Sequence, residues 1–182
     1  MNSDEFIECG TFLGEEFLIW LWMRGLTNGG TGTEGDQSAC FVDDSVQLLA
    51  DKGDVKELSL RKGNPAGSRE AFEALSRGMR PIKAKIRLLS GDIEWKFTLS
   101  AAELGISNLK LPPTKSRGIQ EQVTDRLLLL EEAVTHIERR FKTFLLIRSH
   151  DSIGLQKIIQ RWIHQGLAES ILVHADKQTW HV

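Results

Sequence analysis

The spacing of hydrophobic and polar positions changes along this chain, and each change predicts a different element. From Phe12 to Arg24, FLGEEFLIWLWMR, the pattern predicts a short helix with Glu15 and Glu16 in its first turn, where carboxylates suit the helix dipole. Every position from Phe17 to Met23 is apolar, so this helix lacks a polar face and must be covered on all sides. Trp20 and Trp22 fall on different faces of it. The rest of the chain can supply the cover as a core; the alternative is a second subunit, with Trp20 and Trp22 as interface residues. Residues Gly25 to Ser38, GLTNGGTGTEGDQS, then read as a linker. No Gly-Lys-Ser/Thr ending follows and the next element is a strand, which excludes a phosphate-binding P-loop.

The period then shortens to two. Cys40–Leu49 and Val55–Lys62 read as a hairpin turning at Asp51-Lys52-Gly53-Asp54. Asn64-Pro65-Ala66-Gly67 interrupts the chain. Ser68 caps a helix, SREAFEALSR, which Gly78 closes and whose Phe72 and Leu75 face inward. After Pro81 a second hairpin runs from Ile82 to Leu88 and from Ile93 to Leu99, around Ser90-Gly91-Asp92. The expected module is ββαββ, four strands with this helix on the apolar face.

Beyond Leu111-Pro112-Pro113 the period becomes helical. Val123, Leu127, Leu130, Val134, Ile137, Phe141 and Phe144 recur at steps of four and three, a seam on one long helix. Ser149-His150-Asp151 ends it, and Ser152–Gly166, with Ile159, Trp162 and Ile163, reads as the second arm of a helical hairpin. The tail from Glu169 has no convincing period. The fold class expected is therefore α+β: an antiparallel ββαββ sheet module followed by a long helix and a helical hairpin. The segments are 1–38 (an acidic stretch with the aromatic helix and linker), 39–112, 113–168 and the tail 169–182.

Charge alters this picture. Residues 1–50 hold nine Asp/Glu and one base, Arg24, whereas residues 51–182 hold sixteen acids and twenty-two bases. Such asymmetry hints at an anionic partner for the basic part. The polar, acidic start Met-Asn-Ser-Asp-Glu is unlike a signal peptide, and the apolar run at Phe17 is far below the ~20 residues that span a bilayer. With only Cys9 and Cys40, far apart, a cytoplasmic location is expected, and no membrane partner.

Strand alternation in Ile82-Lys83-Ala84-Lys85-Ile86-Arg87-Leu88 sends the cations Lys83, Lys85 and Arg87 to one face and the apolar residues to the other. On the return strand Trp95 and Phe97 face the core while Glu94, Lys96 and Thr98 face out. Arg61 joins the outward set, with Glu57 and Glu94 as partial offsets. Cations fixed on a rigid surface are what phosphate contacts need. The competing reading is a solvated sheet face on which lysines block edge pairing. The chain has no Tyr, and the aromatics of the second hairpin point inward, so duplex contacts are favoured over base stacking.

Catalytic constellations are weaker. Asp43-Asp44 and Glu15-Glu16 are adjacent acids, and neighbours on a strand point to opposite faces. His150 suits a helix C-terminus, and His136 reads as an outward surface histidine. The cysteines lack a recognisable histidine partner. No catalytic residues, metal ligands, cofactor or small-molecule substrate are expected. A nuclease in which Asp43, Asp44 and Glu94 converge is the remaining enzymatic reading.

From Phe41 to Pro112 the order and character of elements, with AFEALSRGMRP before IKAKIRLLSGDIEWKFTL, resembles the C-terminal half of the RdgC family of recombination-associated DNA-binding proteins. The opening FLGEEFLIWLWMR is similar to a phrase in bacterial RdgC-like proteins. The likeness covers about residues 12–166. It implies an α+β fold, non-specific duplex DNA binding without catalysis, a role in recombination or replication, and a dimeric ring with a basic inner surface. The chain lacks the preceding N-terminal half, which puts a complete ring in doubt. Lys83, Lys85, Arg87 and Lys96 occupy the positions where DNA-facing bases would sit. The alternative is a protein-interaction or homo-oligomerisation module that uses Trp20, Trp22, Ile137 and Phe141.

Overall fold

A computed structural model of the chain describes residues 3–30, 38–50, 56–114, 116 and 118–178. The elements are α1 (Ser3–Thr27), β1 (Ser38–Leu49), β2 (Glu57–Arg61), α2 (Arg69–Ser76), β3 (Arg80–Ser90), β4 (Ile93–Ser100), β5 (Ile106–Lys110), α3 (Ile119–His150) and α4 (Ser152–Gln178). The protein is α+β. Its five strands form one antiparallel sheet in the order β2-β1-β3-β4-β5. The ββαββ order along the chain is present, and β5, which the sequence did not suggest, extends the sheet beyond β4. The Asp51–Asp54 turn lies outside the described residues.

Local chemistry accounts for much of this. The Ser68 hydroxyl accepts the amide of Ala71 at 3.2 Å and so caps α2, while Gly78 takes φ +84° just beyond it. Gly91 adopts φ +56° in the β3–β4 turn, a conformation that disfavours a Cβ. On β3 and β4, Ala84, Ile86, Leu88, Trp95, Phe97 and Leu99 are buried, as alternation predicts.

It is α1 that lies along β1 and β3, whereas α2 packs chiefly against α4. The expectation that α2 would cover the apolar face is corrected here. An eight-residue amphipathic helix has one apolar stripe to offer, while Phe17–Met23 of α1, apolar all round, needs cover on both sides. It gets that cover from its own chain. Phe17 and Trp20 approach Phe144 at 5.5 and 5.8 Å between ring centroids, and Trp22 meets Trp162 at 6.1 Å. Trp22 also donates its indole N–H to the Ala66 carbonyl at 2.8 Å. Trp20 and Trp22 are 2% and 1% exposed, so neither is available as an interface residue. Ile137 is buried as well, and Phe141 is half-buried against Phe17 at 5.0 Å. All four proposed interface residues belong to the interior or its margin.

Other boundaries shift. Helix α1 begins well before Phe12, which puts Glu15 and Glu16 mid-helix, where both are buried and paired: Glu15 with Arg80 at 3.2 Å, Glu16 with Arg148 at 2.7 Å. Helix α4 continues through Glu169 to Gln178 despite the lack of period, because propagating an existing helix costs far less than starting one. His136, expected outside, turns toward the sheet, its ring 6.0 Å from Trp95 and its Nδ1 3.1 Å from the Ser38 hydroxyl. Among the described residues no helix is long and apolar enough to cross a membrane.

Candidate nucleic-acid interface

The sheet face opposite α1 is polar and open. Its cations reach it from four strands, and the register decides which of them meet. Phe41 of β1 stands opposite Arg87 of β3, Arg87 opposite Lys96 of β4, and Lys96 opposite Lys110 of β5. Three cations thus lie in one row across three adjacent strands, whose axes are about 4.8 Å apart. Like charges directly opposite one another destabilise a sheet. In this row the Glu94 and Asp43 carboxylates outweigh the effect of Arg87 on Lys96.

The remaining cations flank the row. Lys85 and Thr98 are opposite each other, Lys83 pairs with Gln47 and Ser100, and Arg61 stands opposite Ser45 at the far side of β1. Lys83 and Arg61 are exposed. A shallow depression of about 510 Å³ is bordered by Asp44, Arg61, Lys62, Lys85, Lys96 and Lys110. All five cations expected from the sequence lie on this face. Lys62 and Lys110 are the additions, and Lys110 was missed because β5 is a short edge strand next to Leu111-Pro112.

Carboxylates neutralise part of the charge. Asp44 receives Lys85 at 2.8 and 3.0 Å from its two oxygens, and Glu94 receives Lys96 at 3.0 Å. The Lys85 hydrogen bond holds the Asp44 carboxyl below the usual aspartate range, against a smaller opposing effect of desolvation. The Glu94 carboxylate, by hydrogen bond and by charge, raises Lys96 above the ordinary lysine value. Glu57 hydrogen-bonds the Gln47 amide instead of a cation. The Arg87 guanidinium lies 5.3 Å from the Phe41 ring centroid, and the Arg61 Nε–H donates to the Ser59 hydroxyl at 3.2 Å. Phe41 is thus an aromatic on the polar face, although Arg87 already covers it.

A register shift in β1 between Val42 and Val46 creates this arrangement of acids. Such a bulge departs from strict alternation. It directs Asp44 at Lys85, while Asp43 acts on Lys96 through space.

No known protein family matches this sequence, and no curated protein does either.

Asp44 and Glu94 are engaged by lysines, and among the described residues no group of three His, Cys, Asp or Glu side chains could hold a metal ion. Ser38, His136 and Glu132 form a line that superficially suggests a nucleophile, base and carboxylate, with His136 Nε2 3.8 Å from Glu132. Ser38, however, is 1% exposed, and its hydroxyl accepts from Arg140 Nη2 at 2.9 Å. A hydroxyl shielded from substrate and already donated to by a guanidinium is a structural group. His150 ends α3 exposed, as expected for a base in the last turn.

The charge asymmetry also has a partly internal destination. Glu15, Glu16 and Asp44 of the acidic first part pair with Arg80, Arg148 and Lys85 of the basic remainder. These pairs join the two parts, so only the cations left over on the sheet face bear on a partner.

Proposed function

We propose that this chain is a non-enzymatic DNA-binding protein that holds duplex phosphates, without sequence preference, on the open sheet face. The observation that carries the reading is the Arg87–Lys96–Lys110 row, like charges set side by side on three strands. A polyphosphate backbone laid across the strands would bring its phosphates to these cations and release its own counterions. Lys83, Lys85, Arg61 and Lys62 widen the contact on either side. No set of side chains on the face reads base edges in an obvious pattern, which fits positioning contacts over sequence readout. The resemblance to the RdgC family points to the same activity, and with it to a place in recombination or replication and at the nucleoid.

The test is binding of the purified protein to duplex probes of unrelated sequence, titrated against salt. Comparable affinities that fall steeply with salt are expected. The Arg87→Gln/Lys96→Gln/Lys110→Gln variant should bind all probes more weakly and lower the salt slope by about one unit per lost phosphate contact. Absence of binding at low salt, or an unchanged slope in the variant, would overturn the assignment.

A further inference from the structure

The seam on α3 has two different fates. At its C-terminal end Ile137 and Phe144 are buried and Phe141 packs on Phe17. At its N-terminal end the same stripe is open: Ile119, Val123, Leu127 and Leu130 are 81%, 53%, 60% and 39% exposed. The anchor between the two regimes is Leu129, whose carbonyl accepts the Trp95 indole N–H at the edge of the core. In the turns before it the stripe faces solvent, while Gln122 and Asp125 hydrogen-bond Ser116. Their apolar positions are spaced by four, four and three residues, the spacing of a stripe that packs on another helix.

The flanks of the stripe specify the second helix. With Val123 and Leu130 at d positions and Leu127 at a, Arg126 falls at g and Glu131 at e. Both are exposed, and among the described residues neither is engaged in an ion pair. In a parallel pair of identical helices, g of one faces the following e of the other. That sets Arg126 against Glu131 of the partner subunit, twice by symmetry. An antiparallel pair would set each flank against itself, Arg126 near Arg126 and acid near acid.

We infer that the exposed stripe at the start of α3 pairs in parallel with the same segment of a second copy of this chain. Residues 119–130 span only about 18 Å, so the contact falls well short of a standard stable interface and the dimer is concentration-dependent. This pairing is independent of DNA binding and of the sheet face.

Sedimentation equilibrium without DNA, from micromolar to near-millimolar protein, reads it directly. The wild type should move from monomer to dimer across that range. Val123→Glu/Leu127→Glu should stay monomeric throughout with an unchanged helical circular dichroism spectrum, because both positions are exposed in the protomer. Arg126→Glu and Glu131→Arg should each weaken the dimer, on the order of tenfold, by turning attraction into repulsion. The double variant Arg126→Glu/Glu131→Arg should regain the wild-type affinity. A wild type that stays monomeric, a dimer that survives Val123→Glu/Leu127→Glu, or a double variant no tighter than the singles would each overturn the parallel pairing.

Discussion

Trp95 donates its indole N–H to the backbone carbonyl of Leu129 at 3.0 Å, and this bond joins the start of β4 to the long helix at the point where α3 leaves the core. A fully buried tryptophan at that place does two things: it fills the interior with its ring and it satisfies its one donor. Because Leu129 lies well inside α3, its carbonyl already accepts along the helix, and the indole adds a second, tertiary contact.

Trp95→Phe keeps most of the apolar volume and removes the donor. A loss of about 1–2 kcal/mol is expected, for a missing hydrogen bond and a small void. Chemical denaturation should show it. Hydrogen exchange should quicken selectively in residues 119–130 relative to the sheet, and uniform exchange across α3 would contradict the anchoring role.

Arg140 is 2% exposed and donates to the carbonyl and hydroxyl of Ser38 at 2.8 and 2.9 Å, holding the start of β1 against α3. Arg140→Ala leaves a cavity and removes its two hydrogen bonds to Ser38. The expected cost is about 3 kcal/mol or more. Thermal unfolding should fall by roughly 6–12 °C. A shift of only a degree or two would mean that β1 is held at Ser38 without Arg140.

Gly14 sits within α1 facing the backbone of Ala101, and a Cβ there would fall inside the contact distance of the Ala101 carbonyl oxygen. Helix propensity alone favours Gly14→Ala by about 1 kcal/mol. The clash should reverse the sign, giving net destabilisation of roughly 2 kcal/mol. Gly29, two residues past the end of α1, has no neighbour against which a Cβ would press, but its φ of +61° disfavours a side chain by itself. A stabilised Gly14→Ala would show that α1 can move away from the sheet.

The Asp44 carboxyl should titrate below 3.8, with the Lys85 hydrogen bond as the main cause. An acid with a depressed folded pKa contributes above its unfolded pKa and loses that contribution as pH falls through the folded one. The Asp44–Lys85 pair should therefore open at a more acidic pH than that at which an unpaired aspartate titrates. Carbon-detected NMR of the side chain checks this, and Lys85→Gln should move the midpoint upward. On the proposed DNA-binding reading, Asp44→Asn should also tighten duplex binding at low salt by releasing Lys85; weaker binding would argue that the pair orders the face.

Much of the fold was legible because its signals are local. Alternation through Lys83–Leu88 and Ile93–Leu99 placed the cations and the core residues on their faces, since side chains on a strand must point in turn to opposite sides. Ser68 and Gly78 marked α2 by the geometry of its ends. The seam marked α3, although its periodicity alone could not tell the buried turns at Ile137 and Phe144 from the open ones at Val123 and Leu127. Sequence spacing says that a stripe exists and leaves open what covers it.

The sequence by itself determined the class of the helices and of β1 to β4, the inward and outward sides of β3 and β4, and the need of Phe17–Met23 for cover on every side. Tertiary structure decided that α1 lies on the sheet, that Trp20 and Trp22 are core, and that Arg87, Lys96 and Lys110 stand in one row. Those outcomes depend on strand register, on the bulge in β1 and on which helix reaches which face. Each is a contact between residues distant in the chain, and the local periodicity of a sequence carries no record of such contacts.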